Sequence, residues 1–210
     1  MSDDDLPAFR RQPGQQRSRD RVEHILDVAA ELIVRDGIDA TSMSALAKAA
    51  KVSLPSIYRY FPNKQAILHT LLERTAQRVR AMVLASVGDV GSTQDALAGM
   101  TVAMRAYWQL FRDDPTFAGI WAAAASVPAL VQQDLEDTRL TGGMLAEAVR
   151  DIVPADRAEH LDVIGYMCVS LATSSVRLAA QLPDADAEVV ITTMTDRILP
   201  AALGLPPRTD

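Results

Sequence analysis

The sequence contains one cysteine, few aromatic residues and no uninterrupted run of 18 apolar residues. A single cysteine, Cys168, excludes a disulfide within one chain and points to a reducing cytoplasm. Without a long apolar run, no membrane span is expected. The N-terminal residues Met1 to Asp5 lack the basic and apolar segments of a secretory signal, so none is predicted.

The recurring patterns of enzyme active sites are also missing. There is no Ser-His-Asp arrangement and no glycine-rich phosphate loop. His24, His69 and His160 are far apart and lack metal-ligand spacing. We therefore expect neither an enzyme nor a cofactor or metal site.

The residues that are abundant favour helices. Ala, Leu, Met and Val dominate a chain that is 49% hydrophobic but only 5% aromatic, and Ala, Leu and Met have high helix propensity. Apolar residues recur at helical spacing along the chain, and no segment alternates with a period of two. The prediction is an all-α fold of about nine helices without a sheet.

The positions of proline and glycine predict three regions: a flexible arm (1–18), a helical domain containing a helix-turn-helix (19–64) and a larger helical domain (65–210). Gly37 is expected to end the first helix in a left-handed conformation. Gly142 and Gly143 predict a bend in the helix that contains them.

Charge is distributed unevenly between these regions. The net charge is −6, yet residues 6–64 carry ten basic and six acidic side chains, whereas residues 65–210 carry eleven and eighteen. A basic N-terminal region is typical of a surface that faces a polyanion.

Two short helical patterns between residues 41 and 61 have the spacing of a helix-turn-helix. Thr41 and Ser42 begin the first, and Lys51, Val52 and Ser53 interrupt the pattern. Ser53 then offers an N-cap for the second, with a proline in its first turn.

This region resembles the DNA-binding signature of the TetR family. The resemblance lies in Thr41 to Ala47 and in the segment Val52 to Lys64, and it extends over about residues 21–72. The chain departs from the family at Ser44, where many members carry arginine, and at Lys51, where glycine is usual. The second departure predicts a lysine with positive φ, a strain of about 1 kcal/mol.

The resemblance implies contacts with double-stranded DNA. The N-terminal residues of a recognition helix read base edges, and hydroxyl, phenol and ammonium groups suit phosphates. The base readers predicted on this ground are Leu54, Pro55, Ser56 and Arg59. The predicted backbone contacts are Thr41, Ser42, Ser44, Tyr58, Tyr60 and Lys64. Tyrosines packed in the core are the alternative for Tyr58 and Tyr60, and the N-terminal arginines either contact DNA or are solvated.

The family's C-terminal domains often hold a small-molecule pocket. The candidate residues for a hydrophobic or amphipathic ligand are Met100, Met104, Arg105, Tyr107, Trp108, Phe111, Phe117, Trp121, Met144, Met167 and Arg177. Met-rich and aromatic helices are more often ordinary core, and the two arginines are as easily explained by pairing with carboxylates or by reaching solvent.

A stripe of small residues seven apart marks the next-to-last predicted helix, flanked by an apolar ridge. Such a stripe lets another helix approach closely, either within the chain or across a homodimer, which the family favours. The predicted interface residues are Ala158, Gly165, Leu171, Ala172, Leu178 and Ala179, with Val190, Met194 and Ile198 on the last helix.

Together these features predict a cytoplasmic, sequence-specific transcriptional regulator. The resemblance implies a repressor that binds a palindromic operator as a homodimer and is released by a small molecule. The alternative is a helical interaction protein that keeps the fold but does not recognise an operator.

Overall fold

The structure is a computed structural model that describes residues 13–88 and 90–207. All regular secondary structure in these ranges is helical, which confirms the predicted fold class. The helices, in chain order, are α1 (Pro13–Asp36), α2 (Met43–Ala49), α3 (Leu54–Tyr58), α4 (Lys64–Val87), α5 (Thr93–Asp113), α6 (Pro115–Ala124), α7 (Pro128–Val149), α8 (Ala155–Ala158), α9 (Leu161–Ala179), α10 (Asp184–Thr193) and α11 (Leu199–Leu203). A π turn, Met194–Ile198, joins α10 to α11.

Two of the nine predicted helices are subdivided. The short α8 is separate from α9, and the π turn interrupts the last predicted helix. At the other end, α1 begins at Pro13, so residues 13–18 are helical although the sequence predicts them as part of an arm. Residues 1–12 of that arm lie outside the described residues.

The chain divides into two compact units between Thr70 and Leu71, within α4. We call residues 1–70 the N-terminal unit and residues 71–210 the C-terminal unit. The division lies six residues beyond the boundary predicted from the sequence, because the first turns of α4 contribute Ile67 and Leu68 to a core.

The N-terminal unit has an apolar core formed by α1, α2, α3 and the turn that follows α3. Ile25, Leu26, Leu46, Ile57 and Phe61 are all buried there. Burial of each such side chain stabilises the fold by roughly 1.5–3 kcal/mol before the loss of conformational entropy is counted. This core fixes the positions of α2 and α3.

The turns around α2 have the backbone geometry that the sequence predicts. Gly37 has φ of +81° after α1, and Lys51 has φ of +54° between α2 and α3. Left-handed backbone suits glycine but strains a lysine. The side chain of Ser42 caps α2 and that of Ser53 caps α3, each by accepting a backbone N–H.

In the C-terminal unit, α7 and α9 cross at two glycines. A Cβ on Gly142 would lie 2.5 Å from the backbone of Tyr166, and one on Gly165 would clash with the carbonyl of Gly142. The helix α7 continues from Pro128 to Val149 through both of its glycines, so they do not interrupt it. Gly142 is there because the two backbones touch.

This crossing predicts opposite effects of one substitution at adjacent positions. Gly142→Ala is expected to lower the free energy of unfolding by about 1–3 kcal/mol, because the added methyl overpacks the contact. Gly143→Ala meets nothing within 4 Å and should raise it by up to about 1 kcal/mol through helix propensity. Urea denaturation of both variants checks this, and equal effects at the two positions would contradict it.

Candidate functional site

The exposed surface around α3 carries much of the predicted DNA interface. Pro55, Tyr58 and Arg59 are exposed, and Leu54 and Ser56 are half-buried. Ser56 also gives its backbone N–H to the Ser53 cap at 3.3 Å. Because α3 has only five residues, its first turn is the part able to present side chains to base edges.

The two predicted serines at the start of α2 lie together on the surface. Ser42 and Ser44 are exposed, with their Oγ atoms 3.0 Å apart. A pair of hydroxyls at a helix N-terminus can donate to a phosphate. This suits a backbone contact, which stays a prediction.

Two of the predicted phosphate contacts are engaged inside the unit. Thr41 is buried, and its hydroxyl donates to the carbonyl of Gly37 at 2.8 Å. Lys64 Nζ donates to the carbonyls of Ile38 at 2.7 Å and Asp39 at 3.2 Å. Thr41 is therefore a structural residue of the loop before α2, and Lys64 ties the start of α4 to that loop.

Tyr60 is held by a hydrogen-bond cluster. Its hydroxyl lies 3.1 Å from Ser18 Oγ on α1 and accepts from the guanidinium of Arg59 at 2.5 Å. The hydrogen bond with Ser18 is the main cause that lowers the pKa of Tyr60, and Arg59 and Arg21 add to it. Ser18 was not among the predicted contacts, and the sequence left open whether Arg21 and the other N-terminal arginines contact DNA.

The C-terminal unit contains a small apolar cavity of about 70 Å³. Its walls come from α4, α5, α7 and α9, with one residue of α11. The lining residues are Val79, Met82, Val83, Val87, Met100, Ala103, Met104, Tyr107, Leu145, Cys168, Val169, Ala172, Thr173 and Leu199. No charged side chain lies in this lining, so the cavity suits an uncharged group.

The hydroxyl groups in the lining of the cavity belong to Tyr107 and Thr173. Burial raises the pKa of Tyr107 well above its ordinary value, so its phenol stays neutral. Burial also raises the pKa of Cys168 to about 11. That thiol is therefore a poor nucleophile at neutral pH.

Comparison with family models matches both units. Residues 25–71 match the model described as bacterial regulatory proteins of the tetR family, and residues 94–197 match a tetracyclin repressor-like C-terminal domain. The chain belongs to the TetR family. It is accordingly a DNA-binding transcriptional regulator, and the alternative of a fold that does not bind DNA is not favoured.

Individual relatives agree with this assignment. The HTH-type transcriptional repressor KstR of Mycobacterium tuberculosis is 26% identical over 70% of this chain and 67% of its own. A TetR-family regulator from Streptomyces coelicolor is 25% identical, with a TM-score of 0.63 over 88% of this chain and 98% of its own. SmeT, the repressor of the Stenotrophomonas maltophilia multidrug efflux pump SmeDEF, shares the fold at 16% identity, with a TM-score of 0.68 over 86% of this chain and 89% of its own. SmeT has also been solved as a triclosan complex.

Three of the eleven predicted pocket residues of this TetR-family chain line the cavity: Met100, Met104 and Tyr107. The aromatic residues Trp108, Phe111, Phe117 and Trp121 are buried core beside it, with edge-to-face contacts from Tyr107 to Phe111 and Phe117. Met144 is half-buried outside the lining, and Met167 is exposed.

The two predicted arginines follow the alternative of pairing with carboxylates. Arg105 forms a two-bond ion pair with Glu188 of α10, and this arginine lowers the pKa of that carboxyl. Arg177 donates to Asp134 at 3.2 Å, and its guanidinium lies 4.8 Å from the ring centre of Trp121. Neither arginine lines the cavity.

Cavity residues that sequence reasoning missed come mainly from the first part of the C-terminal unit and from α9. They include Val79, Met82 and Val83 of α4 and Val169 and Thr173 of α9. The α4 residues follow helical spacing, as any core-facing stripe does. What could have singled them out is knowledge of which helices meet, which a periodic pattern does not contain.

The small-residue stripe of α9 faces into the chain. Gly165 and Ala179 are buried, Ala172 lines the cavity, and Ala158 belongs to α8. Met194 is buried as well, and Val190 is half-buried. The three buried residues and Ala172 are therefore withdrawn from the predicted dimer interface. Ala158 and Val190, which are half-buried, stay predictions.

Two residues of the flanking ridge, Leu171 and Leu178, are exposed on α9, whereas the third, Ile164, is half-buried. Val163 and Met167 are exposed on the same face of the helix, and we call these four exposed residues the ridge of α9. Val189 and Ile198 are exposed on the following helical segments. By length and composition alone, α9 is also the one described helix apolar enough to cross a membrane, which is weak evidence.

Proposed function

We propose that this protein is a repressor that binds a palindromic operator as a homodimer and releases it when a small, uncharged, largely apolar molecule enters the C-terminal unit. The observation that carries this proposal is the apolar cavity among Met, Val, Leu and Ala side chains, with Tyr107 and Thr173 as polar residues in its lining. A regulator of this kind acts on DNA in the cytoplasm.

The size and lining of the cavity limit the ligand. Drug-sized ligands need pockets of roughly 300–1,000 Å³, whereas this cavity holds about 70 Å³. A molecule larger than a single ring or a short alkyl chain therefore fits into this cavity only if the helices move apart. A ligand that binds more tightly when the helices are apart shifts the protein toward that state.

Flexible methionines lower the free-energy cost of expanding the cavity. Met82, Met100 and Met104 stand on two helices of the cavity wall, and unbranched thioether side chains repack around guests of different shape. An anionic ligand is disfavoured, because burying an unpaired carboxylate among these groups costs several kcal/mol.

The homodimer is supported by the exposed apolar ridge of α9. A contiguous apolar face of this kind is unusual on a monomer and marks a surface that another chain covers. A second copy is the natural occupant for a reader of palindromic DNA, because a two-fold interface mirrors the symmetry of the operator.

A matched pair of alanines on α5 tests the cavity. Ala103 lines it, whereas Ala98 is exposed. Ala103→Leu should weaken the response to a graded panel of neutral aromatic and aliphatic compounds by about tenfold or more, because the leucine occupies the space. Ala98→Leu should leave the response unchanged, and both variants should keep DNA affinity without ligand.

The measurement is release of a fluorescent operator duplex, followed together with the fluorescence of Trp108 and Trp121. Coupling between sites is reciprocal, so the same compound must bind more weakly when DNA is present. If compounds release DNA equally from both variants, the effector binds elsewhere.

A further inference from the structure

A recess in the N-terminal unit is lined by an unusual concentration of basic side chains. It opens between α1 and the end of α3 and has a volume of about 530 Å³. Its lining residues are Arg17, Ser18, Arg21, Arg59 and Tyr60. Three of the five are arginines, so this is a strongly cationic spot on a protein with a net negative charge.

The residues that line the recess include three arginines and no carboxylate. Elsewhere on α1, by contrast, Arg35 pairs with Asp36 at 2.6 Å. Three cations around one opening repel each other. An anion that entered would relieve this repulsion and accept several charge-assisted hydrogen bonds.

The position of Arg59 is the second observation. It follows the last residue of α3 as the C-cap, whereas a recognition helix reads bases from its N-terminal residues. Its guanidinium lies over the ring of Tyr60, 4.7 Å from the centroid, and donates to the Tyr60 hydroxyl. That hydroxyl is tied in turn to Ser18 of α1.

This stacking pre-organises the arginine toward α1. A guanidinium held over an aromatic ring loses less freedom on binding than a free one. The pKa of Tyr60 is lowered mainly by its hydrogen bond with Ser18, and Arg59 and Arg21 contribute less. The phenol, the serine hydroxyl and the guanidinium thus form one preformed hydrogen-bonded group.

We propose that this recess binds one phosphodiester of the DNA backbone and that Arg59 holds that phosphate, with Arg17 and Arg21, instead of reading a base. The proposal replaces the prediction from the sequence that Arg59 forks onto guanine. Base reading is left to the first turn of α3. An open, exposed recess suits a phosphate carried on a duplex better than a free ion, which binds where it is enclosed.

Arg59→Gln distinguishes a phosphate contact from a base contact. The probes are a duplex selected from a random pool by the unaltered protein and a scrambled duplex of the same composition. The variant should bind both about tenfold more weakly per subunit, with the ratio between them unchanged. The slope of log affinity against log salt should become shallower by about 1 per lost contact, hence about 2 for a dimer.

Arg19→Gln is the matched control, because Arg19 is exposed on α1, between Arg17 and Arg21, but does not line the recess. It should change affinity and salt slope less than Arg59→Gln does. A loss confined to the selected duplex would show that Arg59 reads a base and would overturn the proposal. An equal effect from Arg19→Gln would show that only the overall charge matters and would overturn the proposal. An unchanged affinity of Arg59→Gln would show that Arg59 does not contact DNA.

Single methylphosphonate substitutions along the selected duplex locate the phosphate. One neutralised position per half-site should weaken the unaltered protein but have no further effect on Arg59→Gln. Additive losses at every position would overturn the pairing. Inorganic phosphate, followed by the NMR signals of the arginine side chains without DNA, should not saturate below millimolar concentration, and tight saturable binding would mean a free-anion site instead.

Discussion

Leu171→Glu combined with Leu178→Glu is expected to abolish the homodimer and operator binding together. Both leucines lie on the exposed ridge of α9, with 40% and 51% of their surface accessible in one chain. Four carboxylates would meet across a two-fold interface, unpaired and desolvated, at a cost of several kcal/mol. A monomer reaches only one half-site, so DNA binding fails with the dimer.

Because both positions are exposed in the single chain, the variant should still fold, and its circular dichroism should stay helical. Sedimentation equilibrium measures the dimer, and fluorescence anisotropy measures DNA binding. Leu84→Glu is the control, an equally exposed leucine on α4 outside the ridge. A double variant that sediments as a dimer and binds DNA would place the interface on another surface.

Arg80→Ala should destabilise the C-terminal unit by about 3–5 kcal/mol. Arg80 pairs with Asp137 and with Glu73, and its side chain is only 18% exposed, with that of Asp137 at 10%. Removing the arginine leaves a carboxylate buried without its cation. One oxygen of Asp137 already lacks a hydrogen-bond partner among the described residues.

The effect should depend on pH. Burial raises the pKa of Asp137 and Arg80 opposes that rise, so removing Arg80 moves the folded-state pKa further up. The folded protein then favours the protonated acid. The variant should therefore be least impaired below the ordinary aspartate pKa of about 3.9 and lose stability as the pH rises through the raised folded-state value.

Arg78→Ala is the matched control, two residues away on the same helix. Its partner is Asp114 at 2.9 Å, and its side chain is 49% exposed, so the expected loss is about 0–1 kcal/mol. Denaturant unfolding at several pH values compares the two. The double change Arg80→Ala with Asp137→Ala should recover part of the loss, and if it did not, the buried charge would not be the cause.

Local signals in the sequence predicted the N-terminal unit well because its structure depends on local chemistry. The caps at Ser42 and Ser53, the positive φ of Gly37 and Lys51 and the helix-turn-helix spacing are each encoded within a few residues. The sequence could not predict whether a side chain is free to contact DNA or is already hydrogen-bonded within the unit. Thr41 and Lys64 match the family pattern, yet one is buried and the other binds backbone carbonyls.

Prediction was weaker in the C-terminal unit, where the function depends on which helix faces meet. A seven-residue stripe of small side chains on α9 is compatible with a partner inside or outside the chain, and the contact between Gly142 and Gly165 places it inside. The same ambiguity applied to the aromatic residues. Trp108 and Phe117 look like cavity residues by composition but lie in the core beside it.

The π turn at Met194–Ile198 lets the end of the chain tolerate a change of length by one residue. Each residue of an α-helix advances the chain by about 100°, and a π turn absorbs one extra residue without passing that rotation on to the residues that follow. A homologue one residue shorter here is therefore expected to have a regular helical turn in its place and to keep Leu199 at the cavity wall. Length variation at this turn would thus leave the shape of the cavity unchanged.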